Sequence, residues 1–128
     1  MKIKFLILVT FLSPLMAFAN NQVSEIRESL FMWQPIEISV NNGILSIISK
    51  ERRVTDTIYN AMIRSGVCMG TIPFPNSLKG IKEIRVLNKF GRQGYVFEGG
   101  KSECGDLVKM SGSDTDIFIL GRTHLHSN

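Results

Sequence analysis

The stretch Val54–Cys68, VTDTIYNAMIRSGVC, limits what the rest of the chain can do. It reads as the clearest amphipathic helix and ends on one of only two cysteines. Thr55 is suited to cap it, because its hydroxyl can accept a bond from an otherwise unpaired first-turn amide. Asp56 sits at the positive end of the helix dipole, and Val54 and Tyr59 have the spacing of a hydrophobic staple. Ile58, Ala61 and Met62 recur at helical spacing, with Ser65 one turn on, while Thr57, Asn60 and Arg64 form the polar stripe. Gly66 is expected to close the helix in a left-handed conformation. A helix of about three turns is marginal alone in water, so it needs a surface to lie on.

The first residues read as a targeting segment. Lys2 and Lys4 precede an apolar run from Phe5 to Met16, and Ala17-Phe18-Ala19 gives the small-x-small pattern of a cleavage site. The run is short and disturbed by Pro14, which disfavours a membrane span. Residues 1–19 are therefore expected to be a cleaved signal peptide, with no membrane span after its removal. Cleavage would leave 109 of the 128 residues, enough for one domain, and would lower the net charge from +4 to +2. So modest a balance makes no case for nucleic acid as a partner. In a periplasmic or secreted protein, Cys68 and Cys104 are most simply a structural disulfide. No Cys-x-x-Cys redox motif is present.

Residues 20–34 are expected to be an N-terminal arm or short helix. Ser24 can cap Ser24–Met32, with Ile26, Leu30 and Trp33 at helical spacing. Ile36, Ile38 and Val40 alternate with polar residues as a half-buried strand. Asn41-Asn42-Gly43 supplies hairpin chemistry, and Ile44–Ile48 forms the return strand. After the helix, residues 69–79 form a loop that holds Phe74 between Pro73 and Pro75. Ile81–Asn88 and Tyr95–Glu98 read as a second strand pair. Ser102 can cap a short helix through Met110, and Ile117–Leu120 could add an edge strand. The order strand-strand-helix-strand-strand-short helix predicts one α+β domain over residues 35–121. Its sheet is mostly antiparallel, of about four strands, with the main helix on one face. Residues 122–128 are expected to be a flexible C-terminal tail.

The strongest local feature for function is charge. Lys79, Lys82, Arg85, Lys89 and Arg92, against Glu83 alone, give +4 over residues 79–92, with Phe90 at the turn. A cationic, aromatic-bearing hairpin fits docking to an acidic protein or another anionic envelope partner. Arg85, Lys89, Phe90 and Arg92 would be the contact residues, and Phe74 could assist. A small exported binding or accessory protein, of inhibitor, immunity or envelope-assembly type, is the leading expectation. A small periplasmic hydrolase or metal-dependent enzyme using the C-terminal histidines is one alternative. A structural subunit of an envelope complex, adding its Ile117–Leu120 run to a neighbour's sheet, is another.

Signals for chemistry are sparse. His124-x-His126 would place two imidazoles on one face of a strand, but further ligands for a metal cannot be chosen from the sequence. Glu37, Glu83, Glu98 and Glu103 supply carboxylates whose spacing selects no pair. No cofactor motif is present, and no serine or thiol nucleophile comes with a partner base.

Overall fold

Two features of the sequence set the sheet: alternation of apolar and polar residues, and one turn with two residues at positive φ. The computed structural model describes residues 14–126, with side chains from Asn21 onward. Among the described residues, β1 (Glu37–Asn41), β2 (Ile44–Ile48), β3 (Glu83–Leu87), β4 (Gly94–Glu98) and β5 (Thr123–His126) form one sheet in chain order. Asn42 and Gly43, at φ 52° and 78°, join β1 to β2 in the tight turn whose twist matches the strands. β2 and β3 are parallel, and the other three pairings are antiparallel. The domain is α+β as expected, with a mixed sheet of five strands.

Four helices complete the described fold: α1 (Pro14–Ser29), α2 (Asp56–Ala61), α3 (Lys101–Leu107) and α4 (Ser113–Leu120). Ile38, Leu45, Ile47, Ile84, Val86 and Phe97 point to one face of the sheet and join Ile26, Leu30, Met62, Ile63 and Leu107 in a single core. Each such fully buried side chain contributes roughly 1.5–3 kcal/mol relative to exposure. Among the described residues, no core helix packs on the other face. Its buried apolar residues, Val96 and Leu87, lie outside the main core, beneath neighbouring polar chains such as Arg85 and His124.

The main helix begins as expected and ends differently. Thr55 caps α2 by accepting a bond from the Ile58 amide at 3.2 Å. Beyond Ala61 the winding loosens into a π-helix, Met62–Cys68. Gly66 lies inside it and does not close it. A Cβ there would come within 2.6 Å of Leu30 Cδ2 and 3.2 Å of Trp33 Cζ3, so the glycine lets α1 and the following turn press onto the helix backbone. The buried face runs through Tyr59, Met62, Ile63, Gly66 and Val67, one residue later than expected, and Ser65 is exposed.

Cys68 and Cys104 form the expected disulfide, and both are fully buried. It joins the end of the π-helix to the first turn of α3. Closing a loop of 36 residues' separation stabilises the fold by roughly 4 kcal/mol in the chain-entropy account. α3 starts at Lys101 after Gly100, not at a Ser102 cap, and Glu103 Oε1 accepts the Gly100 amide at 2.7 Å.

Both ends of the chain depart from expectation. α1 extends to Ser29 and a 3-10 turn, Phe31–Trp33, follows, so the expected helix over Ser24–Met32 is the latter part of a longer one. Residues 1–13 of the expected signal peptide lie outside the described residues. The expected cleavage point after Ala19 falls within α1, and Val23, Ile26 and Leu30 pack its end and the following residue on the core.

Ile117–Leu120, expected as an edge strand, belongs to helix α4. Gly112 at φ 61° turns the chain, and Asp114 and Asp116 suit the positive end of the helix dipole. Thr115 and Ile119, spaced i, i+4, form its buried stripe. The expected flexible tail is instead an edge strand through residue 126, since Thr123–His126 pairs with β4. Its anchor is Tyr59, 64 residues away in sequence, whose hydroxyl lies 2.6 Å from Thr123 Oγ1. Thr123 donates its single hydroxyl proton to the Ile119 carbonyl at 2.6 Å, so Tyr59 is the donor between them. Burial pushes the Tyr59 phenol up to about 12, which keeps that donor in place across the physiological range.

Two measurements follow from this packing. Tyr59→Phe keeps the ring and removes the donor. It should cost about 1 kcal/mol, and hydrogen exchange should quicken in residues 123–126 while β3 stays protected. Gly66→Ala should destabilise by roughly 1–3 kcal/mol through overpacking. Gly105→Ala in α3, where a Cβ meets nothing within 4 Å, should stabilise by about 0.4–1 kcal/mol. Thermal unfolding of the two glycine variants should shift in opposite directions.

Candidate functional site

The turn between β3 and β4, residues 88–93, is built around the side chain of Asn88, which is buried. Its Oδ1 accepts the amides of Arg92 and Gln93 at 3.0 and 3.1 Å, and its Nδ2 donates to the Arg52 carbonyl at 3.0 Å. Gln93 binds the Val54 backbone twice: its Oε1 accepts the amide at 2.7 Å and its Nε2 donates to the carbonyl at 2.8 Å. The Lys89 amide donates to the Glu51 carbonyl at 2.8 Å, and the Gly91 amide to the Asn88 carbonyl at 2.8 Å. Gly91 takes φ 69°, a conformation glycine adopts without strain.

On this frame Phe90 is 59% exposed. The Lys89 ammonium lies 5.2 Å from its ring centroid, and Lys89 and Arg92 are both exposed. The same hydrogen bonds bring the 49–54 link alongside, so exposed Arg52 and Arg53 join the cationic end of the molecule. Nothing in the sequence marked these two arginines as neighbours of the turn, because some 36 residues separate Arg52 from Asn88.

The remaining members of the basic stretch lie elsewhere. Lys82 donates its amide to the Gly43 carbonyl at the opposite end of the sheet, and Lys79, in the same lead-in to β3, has its carbonyl bound by Gln22 Nε2. Arg85 stands in mid-strand with its Nε 2.8 Å from Glu83 Oε2. From there to Lys89 is about 13 Å along an extended chain. Phe74 is half-buried in the segment that leads back to the start of β3, its amide bound to the Gly70 carbonyl. The structure thus brings Lys89, Phe90 and Arg92 together and places Arg85 and Phe74 apart from them.

A second grouping lies on the helix-free face. Register sets Glu83 opposite Glu98 across β3 and β4, an unfavourable pairing of like charges. Each carboxylate has a partner: the Arg85 guanidinium for Glu83, and the His124 imidazole for Glu98, with Nε2 2.7 Å from Oε1. The other ring nitrogen of His124, Nδ1, lies 3.1 Å from the Leu125 carbonyl. The Glu98 contact first, and the Leu125 carbonyl second, raise the His124 pKa above its ordinary 6.5. His126 is on the same face of β5, beside Gly94. The sequence showed these carboxylates and histidines without the register that joins them.

No protein-family model, curated protein or solved structure matches the chain, so the functional reading rests on this geometry.

The His124 shift sets a pH dependence. A raised folded-state pKa means that the pair contributes stability fully below about 6.5 and loses it as pH rises through the folded-state value. Proton NMR of the metal-free protein should show His124 titrating above the ordinary value, and Glu98→Gln should bring it down. The stability difference between wild type and Glu98→Gln should be largest in mildly acid solution, where the imidazole is protonated and a carboxylate is still ionised, and should fade in alkali. It should also be small, because both side chains are more than half exposed.

Proposed function

We propose that the protein is a small exported binding or accessory domain that docks an acidic partner protein through the β3–β4 turn. The observation that carries this reading is Phe90, a large apolar side chain held out to solvent on a turn braced by the Asn88 side chain and flanked by Lys89 and Arg92. A rigid turn loses little entropy on binding. Its aromatic tip supplies the kind of anchor that carries interface energy, and Arg52 and Arg53 extend the positive field that would steer an acidic partner. The buried disulfide supports an oxidising compartment, periplasmic or extracellular, in line with the signal-like first residues. Among the described residues, no helix is long and apolar enough to cross a membrane. Inhibitor, immunity and envelope-assembly roles all fit such a surface.

The test is capture of the partner from an envelope extract by the oxidised protein, with Lys89→Ala/Phe90→Ala/Arg92→Ala as the control. One stoichiometric partner should be retained by wild type and lost by the variant, with unchanged thermal unfolding. Against the purified partner, Phe90→Ala should weaken binding by at least about thirtyfold, equivalent to roughly 2 kcal/mol. Added salt should slow association. Asn88→Ala should also weaken binding, although Asn88 is buried beneath the turn. Retention of the partner by the triple variant would place the interface elsewhere.

A further inference from the structure

Three strands bring Glu83, Glu98 and His124 together so that one ligand atom from each lies within 4.8 Å of the others. The histidine carries an observation beyond proximity. Its Nδ1 faces the Leu125 carbonyl and its Nε2 faces the Glu98 carboxylate, and both of these are acceptors. A neutral imidazole has one N–H, so with Nδ1–H on the carbonyl the Nε2 lone pair points at a carboxylate oxygen. That contact needs a positive charge: at 2.7 Å a proton lies between the two atoms, and a metal ion takes the proton's place only as they part.

The surroundings suit a metal ion. A ligating histidine commonly donates its other N–H to a backbone carbonyl, which fixes its tautomer and ring orientation, and Leu125 takes that part here. Arg85 holds one oxygen of Glu83 and leaves the other for a ligand. With the imidazole neutral, two carboxylates and one guanidinium leave the cluster one charge negative. The ligand atoms of a tetrahedral zinc site stand roughly 3.4 Å apart, given bonds of about 2.1 Å. Glu98 Oε1 already stands closer than that to His124 Nε2, at 2.7 Å, so a metal ion enters as the half-exposed Glu98 carboxylate swings outward from the imidazole.

We propose that Glu83, Glu98 and His124 bind one divalent transition-metal ion of the zinc class on the open face of the sheet. Imidazole with two carboxylates favours zinc, copper or nickel over magnesium and calcium, which prefer oxygen ligands alone. Three protein ligands leave a coordination position to solvent. His126 is not a required ligand. The site is separate from the Phe90 turn, and the two proposals stand or fall independently.

The experiment is titration of the chelator-treated, oxidised protein with Zn2+, read by calorimetry and by the ring nitrogen signals of each histidine. Uptake should be one ion per chain. The Nε2 signal of His124 should move on saturation, and excess Mg2+ should not compete. Glu98→Gln and His124→Asn should each weaken binding at least tenfold, while His126→Asn should change it less than twofold. Thermal unfolding checks that each variant stays folded, and the wild-type histidine signals give a reading that no variant affects. No saturable uptake below about 1 mM Zn2+ would overturn the proposal and leave the His124–Glu98 contact as a proton-bearing hydrogen bond. Uptake that survives Glu98→Gln and His124→Asn, or that depends on His126 alone, would also overturn it.

Discussion

Parallel pairing of β2 with β3 requires the chain between them to travel back the full length of the sheet. Antiparallel neighbours need only a turn, but a parallel pair needs a crossover, here the α2 helix with its π extension and the 69–82 segment. That return fixes which loops meet. The outgoing link, residues 49–54, must lie beside the β3–β4 turn, and bonds from Asn88, Lys89 and Gln93 fasten it there. The incoming segment must lie beside the β1–β2 turn, where Lys82 meets the Gly43 carbonyl. A linear run of positive residues from Lys79 to Arg92 is thereby split between the two ends of the sheet. Arginines from a different part of the sequence complete the cationic end.

Placing every core contact on one face of the sheet has its own consequence. The disulfide and the Gly66 contact pull α3 and α1 against the π-helix, so apolar burial concentrates under the helices. The opposite face is left with polar residues that meet water and one another. Glu83 and Glu98 are directly opposed, and the arrangement is tolerable because Arg85 and His124 flank them. These long side chains also shield Val96 and Leu87 from water. The chemistry available on this face follows from its polar side chains, which no helix covers among the described residues.

What the sequence could and could not disclose divides along the distance between interacting residues. The β1–β2 hairpin, the Thr55 cap, the alternation in β3 and β4, and the lone cysteine pair all depend on neighbours or on the only available partner. Each was readable. The residues of α4 and β5 were not. Four apolar residues, Ile117–Leu120, fit a short strand or a helical turn equally well, and β5, which follows them, is anchored by a hydrogen bond from the distant Tyr59. Gly66 misled for a related reason. A glycine near the end of an amphipathic run is commonly a helix stop, and only the approach of Leu30 and Trp33 gives it a place inside one. In the two candidate sites, Phe90, Lys89 and Arg92 were readable as a local cluster. The His124–Glu98–Glu83 grouping needed strand register that no local pattern encodes.

The two sites occupy the same pair of strands but should act separately. Glu83 and Glu98 lie at the β3-start end of the sheet, and Phe90 lies beyond the other end. Seven residues of largely extended chain separate Glu83 from Phe90, on the order of 20 Å, more than twice the Debye length of roughly 8 Å at physiological ionic strength. A charge gained at one end is therefore screened at the other. Mechanical coupling would need an element with two alternative arrangements. The strands between the sites are instead tied on both sides, β3 to β2 and β4 to β5. Occupancy of the open face should leave the turn geometry unchanged, because the frame holding Phe90 draws its bonds from residues 51–54 and 88–93, none of which belongs to the carboxylate–histidine group.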